Sequence, residues 1–225
     1  MRSLKQKRIA GFSLIELMIS MVVVVLLLGI VSTLLARSLS VRARESRKTD
    51  ALTSAHAALN IMSREIANAG FGIYDGAVSQ TAVNGIILNG DSTAGQIHFR
   101  ANLSNAGDGP VNPACPTVCT NEPGEDVTYF FDDETDSIVR YDPNADPTTS
   151  VIVNKISNVT FSYFDYAPDG TSTAEPGNPS PTVSTGRIRL TVDVTLEPVE
   201  GQPDDSVQFT SEINLRNSSY MLRQY

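Results

Sequence analysis

Residue types able to do chemistry are few and scattered along this chain of 225 residues. Two cysteines lie in Cys115-Pro116-Thr117-Val118-Cys119, and the two histidines, His56 and His98, stand far apart. Two thiols with three residues between them and no neighbouring histidine fall short of a four-ligand zinc site. Neither histidine has a visible second group to orient it as base or ligand, so both read as packing or surface residues. Asp132, Asp133, Glu134 and Asp136 gather four carboxylates within one short stretch. Their spacing is not that of an EF-hand, and a solvated turn fits better than a calcium site. No nucleophile elbow, phosphate-binding glycine loop, His-Glu-x-x-His or dinucleotide fingerprint occurs. The expectation is a protein with no catalytic residue, no metal and no cofactor.

One acidic residue is out of place. Glu16 heads an uncharged apolar run from Leu17 to Ala36. At about 1.5 Å per residue those twenty positions span roughly 30 Å, enough to cross a bilayer core. A carboxylate at such depth costs about 2.5–3.5 kcal/mol on insertion scales, so it needs a partner and a purpose. A secretory signal has a shorter apolar core followed by a small-residue cleavage site, and a plain signal anchor gives no reason for Glu16.

Arg2, Lys5, Lys7 and Arg8 precede the run with no acidic residue among them, which keeps the N-terminus cytoplasmic. Arg37, Arg42, Arg44, Arg47 and Lys48 follow it, but a long polar chain translocates largely regardless of charge. The remainder is therefore placed outside the inner membrane. There an oxidising compartment favours a same-chain disulfide between Cys115 and Cys119, worth about 2 kcal/mol at most for so short a loop. A bridge to another chain is the alternative.

The whole chain has 17 Lys and Arg against 25 Asp and Glu, a net charge of −8. Without the four leading basic residues the balance falls to −12. A nucleic-acid surface would need a clustered basic face, so none is expected. The basic cluster at 37–48 reads instead as a collar near anionic lipid, or as helix charges meeting neighbouring subunits.

These residues need elements to carry them. Between Arg37 and Ala69 there is neither proline nor glycine. Leu52, Ala55, Leu59, Met62, Ile66 and Ala69 recur at spacings of three and four, one apolar stripe of a helix. Gly70 supplies the stop. The expectation is one helix over about 12–69, apolar all round in its first half and amphipathic in its second. Strands should follow at Gly85 to Leu88, Gln96 to Arg100, Val127 to Phe131, Ser137 to Tyr141, Val151 to Asn154, Val159 to Tyr166, Arg187 to Leu196 and Val207 to Leu215. Asp132 to Asp136 should turn a hairpin, and Ala101 to Asp126 and Ala167 to Gly186 should be loops. Helix first and strands after is the α+β pattern, with a largely antiparallel sheet packed on the helix stripe.

The N-terminal segment Lys-Arg-Ile-Ala-Gly-Phe-Ser-Leu-Ile-Glu-Leu, residues 7–17, resembles the type IV prepilin signature. Gly11, Phe12, Leu14, Ile15, Glu16 and Leu17 carry the match, with the apolar run lying after the Gly-Phe junction. The resemblance implies a leader of residues 1–11, cleavage after Gly11 and N-methylation of Phe12 by a prepilin peptidase. It further implies an assembly role for Glu16, an assembly half of the helix at 12–36 and a periplasmic or extracellular domain at 37–225. The later chain resembles the PilW family of minor pilins at Ser63 to Gly72, Gln96 to Arg100, Val159 to Tyr166 and Asn214 to Asn217. J-type pseudopilins of type II secretion share a similar helix exit and strand order. The implied function is a minor pilin in pilus assembly or initiation, near the tip. The alternatives are a secretion pseudopilin, and an anchored adhesive or DNA-uptake module that never polymerises. Implied partners are the peptidase, other major and minor pilins, the inner-membrane assembly platform, a tip adhesin, and membrane lipid before assembly.

Overall fold

The computed structural model describes residues 13–73, 82–104, 119–196 and 205–223. Gly11, Phe12 and Cys115 lie outside these residues. Helix α1 runs over Leu14–Ile66, 53 residues. The chain divides at Thr49/Asp50 into two compact units.

In the first unit the helix is apolar on every side as far as Ala36, and none of its residues from Leu14 to Ala36 is buried. In the second unit one stripe sinks into the core. Ala55, Ala58, Leu59, Met62 and Ile66 are all buried, at the three- and four-residue spacing read from the sequence. Leu52, expected on this stripe, is only half-buried. The helix ends at Ile66, short of the expected Ala69. Its exit is tightened by short bonds from Asn68 N to Glu65 O and Ala69 N to Ile66 O, both 3.0 Å. Gly70 then takes φ +78°, the left-handed conformation of a helix stop.

Gly70 has a second duty. A Cβ on it would meet the Val83 carbonyl oxygen at 2.3 Å, and one on Gly85 (φ +80°) would meet Gly70 N at 1.9 Å. Two backbones meet here with no room for a side chain. Gly70 N donates to Arg100 O at 2.9 Å, and Arg100 N to Gly85 O at 2.7 Å, so the contact fastens the helix exit to the first strand.

Seven strands follow: β1 Gln96–Arg100, β2 Asp126–Asp132, β3 Ser137–Tyr141, β4 Thr149–Asn154, β5 Asn158–Asp165, β6 Thr185–Leu196 and β7 Asp205–Asn214, then a short helix α2 at Ser219–Leu222. The expected single sheet is two, both antiparallel, in the orders β1-β2-β3-β4 and β5-β6-β7. Lys155, with φ +62°, turns the chain out of β4, and β5 pairs with β6 instead. The sheets are stitched by Phe161 N to Ala94 O at 2.8 Å and by the Tyr163 hydroxyl, which donates to Thr93 O and Gln96 O. Gly85 to Leu88 does not form the expected strand. It makes one bridge, Ile86 to Phe99, because Gly85 bends the backbone there.

One core joins the helix stripe to both sheets, through Ile97, Phe99, Val127, Tyr129 and Ile138 of the first and Phe161, Tyr163, Ile188, Leu190 and Val192 of the second. Its polar rim is bonded. Tyr129 donates to Glu65 Oε2 at 2.8 Å, and Arg140 Nε reaches the same oxygen at 3.1 Å. Burial, then the Glu65 charge, pushes the Tyr129 phenol well above its ordinary value, so it stays a donor.

Candidate assembly and processing segment

Ser13 opens the helix, its carbonyl accepting from Glu16 N at 3.0 Å and Leu17 N at 3.2 Å. Glu16 therefore stands in the first turn, where free N–H groups and the helix dipole favour a carboxylate. It is exposed, and among the described residues no cation pairs with it. Around and beyond it Leu14 is 78% exposed, Ile15 66% and Met18 60%. Among the described residues this surface is left exposed, so its apolar area is available to lipid or to other helices.

Hydroxyls along this helix bond back to its own backbone. Ser20 donates to Leu17 O at 2.8 Å, Thr33 to Ile30 O at 2.7 Å and Ser40 to Arg37 O at 2.8 Å. Each hydroxyl is satisfied by its own helix, which removes the cost of placing it in hydrocarbon. By length and composition the helix is long and apolar enough to cross a membrane. Gly29 has open space where a Cβ would stand, so nothing in its own chain requires a glycine there.

The other expected residues fall elsewhere in the second unit. His56 lies edge-on to Phe209, ring centroids 4.6 Å apart. His98 has a partner that the sequence did not reveal: Nε2 is 2.5 Å from Asp126 Oδ1, and Arg100 Nε donates to Asp126 Oδ2 at 2.8 Å. Burial works to raise the Asp126 pKa, but the bonds from His98 and Arg100 outweigh it and hold the carboxyl below its ordinary value. Ser92, the nearby hydroxyl, is bonded to the His98 backbone, donating to its carbonyl and accepting from its N–H. The arrangement ties β1 to β2 and presents no activated nucleophile.

Asp132 uses both oxygens within the expected hairpin turn, accepting from Glu134 N at 3.1 Å and the Thr135 hydroxyl at 2.7 Å. Among the described residues no cluster of His, Cys, Asp and Glu is arranged to hold a metal ion. Cys119 is buried at 4% exposure, and among the described residues no cysteine is free.

Two further arrangements were missed by sequence reasoning. The buried Glu125 carboxylate accepts from Leu103 N, Ser104 N, the Ser104 hydroxyl and Glu122 N, fixing Ser104 beside the start of β2. Nothing in its local sequence marks it. On β6, Arg187 and Arg189 lie over the Phe164 ring at 4.1 and 5.1 Å, and Arg189 grips both Glu175 and Glu212. The alternation Arg187-Ile188-Arg189 put these guanidiniums on one face, but their carboxylates come from distant segments.

The family model described as the prokaryotic N-terminal methylation motif matches residues 6–32. No curated protein and no solved structure matches the chain. The motif implies processing by a prepilin peptidase and association with other pilins. A methylation motif at residues 6–32, with an exposed apolar helical run from Leu14 to Ala36 and an α+β unit after it, supports a type IV prepilin-like protein of the pilin or pseudopilin type.

Proposed function

We propose that this chain is a minor pilin of a type IV pilus, acting in assembly or initiation near the tip. One observation carries the reading: Glu16, which no cation pairs among the described residues, stands in the first turn of a helix whose apolar run from Leu14 to Ala36 is exposed throughout. Cleavage after Gly11 would create a new amine on Phe12, four positions before Glu16 in the sequence. That amine is the cation Glu16 needs, within one chain or across to the next as subunits dock. Removing one partner of such a pair in a low-dielectric bundle costs about 3–5 kcal/mol, because the other charge is left stranded. The protein waits in the inner membrane with its N-terminus cytoplasmic, then joins a filament through the assembly platform. A disulfide between Cys115 and Cys119 would join the two ends of the segment Cys115-Pro116-Thr117-Val118-Cys119.

The test compares Glu16→Ala with the native chain in a deletion background. Membrane insertion should be intact, while sheared filaments and crosslinked pilin complexes fall. Normal filament number with normal crosslinking would sink the reading and favour an anchored module that never polymerises. Loss of protein export with normal surface filaments would favour the pseudopilin. Mass spectrometry of the mature chain should begin at a methylated Phe12; a chain retaining Met1 would contradict the processing.

A further inference from the structure

Among the described residues, the outer edges of the two sheets are protected to different degrees. The outer side of β1 is covered by the bridge from Ile86 and by Ile87 N donating to His98 O at 2.9 Å. The outer side of β5 is covered by Ala94 and by Asn178, whose N–H and carbonyl both bond Tyr163. The terminal strand β7 carries Glu212 near its end, the kind of charge that discourages edge pairing. Strand β4 is different. It is the last strand of its sheet, and among the described residues β3 is the only strand that pairs with it.

Its sequence, Thr-Ser-Val-Ile-Val-Asn, has no charge, no proline and no glycine. Thr149, Ser150 and Val151 are exposed, Val151 at 60%. An uncharged, β-branched edge, exposed over its first half and with no outer partner for its N–H and C=O groups among the described residues, is a template for another strand. Proteins usually block such an edge within the strand, and here nothing does so.

We propose that β4 is a docking edge that accepts an extended segment of another protein, with uncharged β-branched residues at its centre and Lys or Arg at its ends. Main-chain bonds to β4 supply the affinity, and the alternate outward positions, Val151 among them, read the side chains. Charge selects the occupant. At the start of β4 stands exposed Asp146, and at its end the hairpin turn brings Asp133, Glu134 and Asp136 alongside, against a single Lys155. Residues 50–225 hold every carboxylate of the chain except Glu16 and Glu45, with only eight Lys and Arg. A second copy would bring the same negative field within a Debye length of about 8 Å, whereas a basic-ended strand is drawn in. The inference concerns the globular unit and stands apart from the proposed filament role.

The test uses the full chain in single-copy nanodiscs and fluorescence anisotropy. The probe is a labelled peptide of alternating threonine and valine with two lysines at each end. It should bind, and binding should fall at least tenfold when alternate peptide nitrogens are methylated, when the lysines become aspartates, or when Val151→Pro removes an edge N–H. Val151→Thr should retain binding, and Val151→Lys should lose it with an unchanged melting temperature. Absence of binding, or binding indifferent to nitrogen methylation, would overturn the proposal. Self-association of the free chain that Val151→Lys abolishes would also overturn it, in favour of a second copy as occupant.

Discussion

Asp126 shows how much a single carboxylate can hold. It takes a bond from His98 and one from Arg100, and its pKa is lowered below the ordinary value of 3.8. A depressed carboxylate contributes stability that is complete above its unfolded pKa and is lost as pH falls through the folded one. The melting temperature should therefore drop as pH goes below about 4, and Asp126→Asn should flatten that part of the profile. A pH–melting curve of the variant that still tracks the native curve would show the pair to be inert. This partnership was illegible in the sequence: 28 positions separate His98 from Asp126, and only the β1–β2 register brings them opposite. Glu16 was legible because the surrounding medium, not a fold contact, makes it costly.

At the scale of elements, periodicity carried most of the reading. The spacing of Ala55, Leu59, Met62 and Ile66 marked the helix face that is now buried. Ile188, Leu190, Val192 and Val194 alternated, and all four are buried. Both patterns are local consequences of the 3.6- and two-residue repeats. Pairing is not local, which is why the division into two sheets could not be seen and Gly85 to Leu88 read as a strand. The buried Leu59 gives the direct check on helix and sheet. Leu59→Ala should cost about 2–5 kcal/mol by chemical denaturation, through lost transfer energy and a cavity. A midpoint that does not move would mean that the helix stripe adds nothing to the core.

The whole molecule keeps its two media apart. Unit one presents apolar surface without a core, and unit two, from Asp50 onward, contains the whole hydrophobic cluster. A chain starting at Arg44 should accordingly stay soluble and melt cooperatively; an unfolded product would show that the second unit needs the anchor. Within that unit, the close approach of Gly70 to Gly85 has a consequence for how the sequence can change. The clash at either position is with backbone, so no neighbouring substitution can make space for a methyl group. Gly70→Ala and Gly85→Ala should each be severe, and the chain carrying both should be little worse than the worse single, since one methyl already parts the two segments. In a saturation scan of this protein the two positions would behave as one constraint shared by two codons, closed to stepwise exploration from either side.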